Sequence, residues 1–110
     1  MSHASDRTAS LRIRVLYFDG CPNSEAAMNL VRQVAASHAG RATVESVEVS
    51  SHADAERLRF LGSPSVQVNG VDIDPDARKR TDFGMACRLY GSSGVPSADM
   101  VVRAIREATE

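Results

Sequence analysis

Cysteine is scarce in this chain: only two occur in 110 residues, Cys21 and Cys87. Two thiols are too few for a disulfide framework and too few for a four-thiolate zinc site. Long apolar runs are missing as well; none approaches the ~18 residues that a membrane-crossing helix needs. Charge of one sign is not in excess. A formal net charge of −1 leaves no electrostatic footprint for nucleic acid or for an anionic membrane surface. Internal repeats and low-complexity tracts are absent, and the length suits one domain with one modest core. The first ten residues, Met1 to Ser10, hold no apolar stretch of the kind a secretory signal requires. They are expected to form a flexible leader to a domain over residues 11–110, and a cytoplasmic location, where thiols stay reduced, is the expectation.

What is present is a regular succession of elements. Leu11 to Phe18 alternates apolar and basic residues and then becomes apolar throughout, as in a strand half covered at its start and buried at its end. Asp19-Gly20 ends it. Apolar residues then recur at Ala27, Leu30, Val31, Val34 and Ala35, which predicts a helix entered through Pro22 and closed at Ala39-Gly40. A second strand is expected over Thr43 to Val49. Ser51 caps a short helix through Asp54 to Leu61, stopped by Gly62. Asn69-Gly70 between alternating apolar residues predicts a two-residue hairpin, with Val68 opposite Val71 and Val66 opposite Ile73 on one face. Asp74 to Gly94 is long for an idle connection, and a short helical turn is expected near Phe83 to Leu89. Ser97 caps a last helix with Val101, Ala104, Ile105 and Ala108 on its apolar side. The strand–helix–strand crossover makes the first two strands parallel. The expected fold class is therefore α/β, in the order βαβαββα, a four-stranded mixed sheet flanked by helices.

Cys21 sits where the first strand gives way to the first helix, in Phe18-Asp19-Gly20-Cys21-Pro22-Asn23-Ser24. The N–H groups opening a helix lack internal partners and the dipole there is positive, so a thiol at this seam is biased toward thiolate. Ser24, one turn on, is placed to donate a hydrogen bond to the sulfur. The competing reading makes Cys21 a small filler of the strand–helix junction. Asp19 reads first as a turn residue and second as a proton donor. His3, His38 and His52 lack metal-ligand spacing and read as surface residues. Arg78, Lys79, Arg80 and Arg88 read either as a basic rim or as solvated loop charge. Phe83, Met85 and Tyr90 read as the roof of a pocket or as packing under the loop.

The element order, with Cys21-Pro22-Asn23-Ser24 after the first strand and Gly62-Ser63-Pro64 before the hairpin, resembles the thioredoxin and glutaredoxin family from about Leu11 to Ala108. Phe18-Asp19-Gly20-Cys21-Pro22-Asn23, Gly62-Ser63-Pro64 and Ala86-Cys87-Arg88-Leu89-Tyr90 resemble more closely a group of small bacterial thioredoxin-family proteins often labelled alkylmercury lyase-like. The resemblance implies that Cys21 is the active-site cysteine. It also implies that the Ser63–Pro64 bond is cis, lies against Cys21 and offers substrate an exposed backbone edge, with Pro22, Ser63 and Pro64 as substrate-binding residues. Departures are plain. Gly20 stands where thioredoxins have tryptophan, Ser24 replaces the second cysteine of Cys-x-x-Cys, and the glutathione-holding Gly-Gly turn has only a loose echo at Gly94 to Asp99. In this topology Asp74 to Gly94 leaves the sheet at the Cys21 end, so Cys87 is a candidate resolving thiol or second soft-metal ligand. The alternative is a buried cysteine beneath the loop.

Three functions follow. The first is thiol–disulfide exchange, with Cys21 attacking, Ser24 assisting and Cys87 or an external thiol resolving, on a protein or small-molecule thiol or disulfide. The second is handling of mercury, an organomercurial or another soft metal between Cys21 and Cys87. The third is a non-catalytic thioredoxin-like binding module. None calls for a cofactor, and the sequence leaves the oligomeric state open.

Overall fold

The computed structural model describes residues 11–38 and 42–109. The expected leader and the helix stop at Ala39-Gly40 lie outside these residues. The strands are β1 (Leu11–Tyr17), β2 (Ala42–Glu48), β3 (Ser65–Val68) and β4 (Val71–Asp72). The helices are α1 (Ser24–His38), α2 (His52–Leu58) and α3 (Ala98–Thr109), with a single 3-10 turn over Pro75–Ala77. The strands form one sheet in the order β2-β1-β3-β4. β1 runs parallel to β2, from Leu11 opposite Ala42 to Tyr17 opposite Glu48, and antiparallel to β3, from Ile13 opposite Val68 to Leu16 opposite Ser65.

Side chains alternate across a strand, and β1 uses this to serve two layers. Leu11, Ile13 and Val15 join Ala27, Val31 and Val34 of α1 and Val101, Ala104 and Ile105 of α3 in the main core. Leu16 faces the other way into a smaller cluster with Val49, Ala55 and Phe60 beneath α2. The rest of that second face is not covered by apolar residues: Arg12 and Arg14 instead share the Glu45 carboxylate at 3.3 and 3.0 Å. This is why the sequence of β1 begins as apolar–basic alternation and ends apolar throughout.

Several boundaries differ from expectation. α1 begins at Ser24, its first turn closed by the 3.1 Å bond from the Ala27 N–H to the Asn23 carbonyl, so Pro22 lies in the preceding turn. Ser51 does cap α2, its Oγ accepting from the Asp54 N–H, but the helix stops at Arg59 in the left-handed region (φ 57°), well before Gly62. Ending there turns Phe60 and Leu61, both buried, into the interior. The hairpin forms as expected, with Asn69 and Gly70 both at positive φ (52° and 82°), as a two-residue turn of this kind demands. Val68 does oppose Val71, yet Val71 remains 46% exposed because β4 is a two-residue edge strand. Ala108, expected on the apolar side of α3, is exposed at the helix end.

The segment after β4 is the main correction. No helical turn forms over Phe83 to Leu89. The chain there runs extended and pairs with Ser63 in a parallel bridge centred on Cys87. Arg88, expected on a basic rim, is 3% exposed and makes a two-pronged ion pair with Asp72, both contacts 2.9 Å. Its guanidinium also lies 4.5 Å from the Tyr90 ring centroid. Burial alone would lower the Arg88 pKa, but the bonds to Asp72, together with the Tyr90 phenol and the Asp72 and Asp74 charges, outweigh it and the net shift is upward. Asp72→Ala leaves that cation buried without its counter-ion and is expected to cost about 3–5 kcal/mol in urea unfolding. The double change Asp72→Leu with Arg88→Met should recover most of the loss, since it removes both charges together.

Candidate functional site

The site is built at the end of the sheet where β1 stops. Gly20 takes a φ of +86°, which turns the chain toward α1 with no Cβ to oppose it. The Cys21 N–H then donates to the Phe18 carbonyl at 3.2 Å. Cys21 is a free, half-buried cysteine three positions ahead of the first residue of α1. The Ser24 hydroxyl donates to the Cys21 carbonyl at 3.2 Å, whereas the sequence suggested a bond to the sulfur. A serine opening a helix has backbone acceptors nearby, and here one of them takes the proton. Pro22 is exposed beside the thiol residue, and Asp19 is an exposed turn residue.

Ser63 connects this turn to the rest. Its Oγ accepts from the Phe18 N–H at 3.2 Å. Its own N–H donates to the Ala86 carbonyl at 2.8 Å, and its carbonyl accepts from the Arg88 N–H at 2.9 Å. The Ser63–Pro64 bond is cis. Ser63 and Pro64 are fully buried, so the backbone edge expected to be open to substrate is already taken by the chain's own residues 86–88. Sequence reasoning missed this because a backbone pairing across more than twenty positions leaves no local pattern. One signal was available: Gly62 directly precedes the pair. It sits at φ +119°, and a Cβ there would fall 2.8 Å from the Ala86 carbonyl oxygen. A glycine is what lets the segment come this close.

Of the two readings of Tyr90, packing under the loop is the one that holds, and the residue is an internal tie. It is buried and its hydroxyl donates to the Pro64 carbonyl at 2.8 Å. The outward side of the segment carries Met85 and Leu89, 42% and 63% exposed, with the exposed free thiol residue Cys87 between them. The far end of the segment returns to the turn ahead of α1, where Gly94 packs against the Asn23 side chain. Cys21 and Cys87 are therefore carried by two segments that both bond to the Ser63 region, one through Phe18 and one directly.

The other cations expected on a rim are engaged elsewhere. Arg78 holds Glu107 through two bonds of 2.9 and 2.7 Å, and Arg80 holds Asp82 through bonds of 2.9 and 2.7 Å. These bonds keep Glu107 and Asp82 below the usual carboxylate range. Lys79 is exposed, as is His52, while Phe83 is half-buried under the Arg59 guanidinium, 5.1 Å away. Among the described residues no group of three or more His, Cys, Asp or Glu is arranged to hold a metal ion. A groove of about 320 Å³ opens beside the Cys21 turn, lined by Phe18, Asp19, Glu48, Val49, Ser50 and Met85.

No family model matches the chain, and no curated protein matches it. Among solved structures it is similar to chloroplastic thioredoxin z, in a crystal structure described as defining a novel type-specific target recognition for that protein. The TM-score is 0.55 at 18% identity, and the match covers 97% of this chain and 84% of that one. The chain thus has a thioredoxin-like fold, a mixed four-stranded sheet with three helices. No helix among the described residues is long and apolar enough to cross a membrane.

Burial pushes the Tyr90 phenol well above its usual value near 10. The sign of the resulting pH dependence follows directly. Above about pH 10 the unfolded chain releases this proton while the folded chain keeps it, so stability falls by up to about 1.4 kcal/mol per pH unit from this residue. Tyr90→Phe is expected to cost about 1 kcal/mol near pH 7, through the lost bond to the Pro64 carbonyl. In paired denaturant titrations that gap should close by about pH 11, because the phenylalanine variant lacks the alkaline slope.

Proposed function

We propose that the protein is a thiol–disulfide exchange protein in which Cys21 is the attacking thiol and Cys87 the resolving one. The observation that carries this is the hydrogen-bonded path from the Cys21 turn through Phe18 and Ser63 to the bridge centred on Cys87, with both thiols free and neither fully buried. A nucleophilic cysteine needs solvent access, and Cys21 is half-buried in the turn that leads into α1. In the proposed reaction the Cys21 sulfur attacks a substrate disulfide, giving a mixed disulfide and releasing one substrate thiol. Cys87 then attacks the Cys21 sulfur, forming a Cys21–Cys87 disulfide and releasing the second substrate thiol. Pro22 shapes the approach to Cys21. Ser24 acts by fixing the Cys21 carbonyl and hence the turn. Ser63 and Pro64 serve as the frame between the two thiols rather than as a docking edge. Residues 11–110 as one domain behind a short leader, in a reducing cytoplasmic setting, complete this reading.

The test is selective alkylation at neutral pH. Cys21 should react about tenfold faster than a free model thiol, in line with cysteines at helix N-termini. Treatment with a small disulfide should give a Cys21–Cys87 cross-link in the native chain and a trapped mixed disulfide on Cys21 in Cys87→Ser. Reaction of Cys21 at the model-thiol rate, with no adduct, overturns the proposal.

The same pair of free thiols supports a second reading, in which mercury or an organomercurial is the substrate held between Cys21 and Cys87, as the likeness to alkylmercury lyase-like proteins suggests. Mercury titration of the reduced protein separates the two. One tight equivalent, lost in Cys21→Ser and in Cys87→Ser alike, favours the metal. Weak binding unchanged by either variant excludes it.

A further inference from the structure

We infer that the groove beside the Cys21 turn selects disulfides bearing a cationic aliphatic arm, an alkylammonium or guanidinium a few bonds from the sulfur. The inference rests on the reading of Cys21 as the attacking thiol and adds the class of substrate. Phe18, Val49 and Met85 give the groove an apolar lining, and Asp19 and Glu48 bring carboxylates to it within about 320 Å³ of space. Neither carboxylate is engaged in an ion pair among the described residues, in contrast to Asp54, Asp72, Asp82 and Glu107. Arg78, Arg80 and Arg88, which follow β4, are turned to Glu107, Asp82 and Asp72. The groove thus presents two carboxylates, unpaired among the described residues, at the end of the sheet where the chain turns into Cys21.

Position links the groove to the chemistry. Phe18 and Asp19 lead directly into Gly20-Cys21, and the Phe18 carbonyl holds the Cys21 N–H at 3.2 Å. The Ser63 backbone is closed to an incoming strand by residues 86–88, so a substrate must find its hold elsewhere, and this groove lies at the same end of the sheet. A methylene arm suits the apolar lining while its charged head reaches the carboxylates at the water boundary. The exchange itself balances without another reagent: Cys21–SH and R–S–S–R give Cys21–S–S–R and R–SH, the proton passing from the Cys21 sulfur to the leaving sulfur.

The test uses Cys87→Ser, in which Cys21 is the sole thiol, and three disulfides: cystamine, 2-hydroxyethyl disulfide and dithiodipropionate. Each rate of adduct formation on Cys21 is divided by the rate of the same disulfide with a free model thiol at low ionic strength. Cystamine is expected to be favoured over dithiodipropionate by about two- to thirtyfold, the range that two solvent-facing ion pairs provide. Asp19→Asn with Glu48→Gln should bring that ratio close to one. Asp99→Asn, remote on α3, should preserve the preference. Equal normalised rates for all three disulfides, or a preference that survives in the double variant, overturn the groove assignment while leaving Cys21 as nucleophile. Failure of even the neutral disulfide to modify Cys21 overturns both.

Discussion

Ser63 holds the functional end of this molecule together. Its hydroxyl receives the Phe18 N–H, its amide donates to Ala86 and its carbonyl receives the Arg88 N–H, so one buried residue fixes three separate stretches of chain. A buried backbone group without a partner is costly, and the close approach of residues 86–88 satisfies both of Ser63's at once. Everything distinctive about the site follows from that arrangement. Gly62 must be small, Arg88 must point inward to Asp72, Tyr90 must reach the Pro64 carbonyl, and Cys87 must face out.

The segment that closes the Ser63 edge is secured by two kinds of anchor. One is an ion pair sealed from water, which holds strongly only while both partners are present. The other is a neutral phenol–carbonyl bond, less energetic and indifferent to salt. Between them they set Arg88 and Tyr90 against the sheet and leave the alternate residues Cys87 and Leu89 toward solvent, with Met85 exposed ahead of them. The same alternation that buries a strand's inner side chains thus presents a thiol on the outer side.

Much of the fold was legible in the sequence. The two-phase pattern of β1, the Asn69-Gly70 turn and the Ser51 and Ser97 caps each follow from local rules of period and capping, and the parallel run of β1 and β2 follows from crossover geometry. Boundaries were less so. Arg59 ends α2 because burying Phe60 and Leu61 outweighs the strain of a left-handed arginine, and a tertiary gain of that kind cannot be seen in the residue itself. The site divided in the same way. The location of Cys21 came from chain order, but the Arg88–Asp72 pair joins residues sixteen positions apart, and either charge alone reads as surface. The Ser24 hydroxyl could be assigned to one turn of chain, though not to one acceptor in it.

The unequal covering of the sheet has a dynamic consequence. One face is sealed by α1 and α3 over a large apolar cluster, while the other has seven-residue α2 over four buried apolar side chains, with polar and charged residues occupying the remainder. Local opening follows the thinnest layer, and amide exchange tracks it. Phe18 packs against that thin layer and its ring meets Phe60 edge-on at 6.4 Å. The smaller apolar layer is thereby joined to the wall of the groove at Phe18, so an opening of that layer would reach the mouth before it reached the sheet beneath α1 and α3.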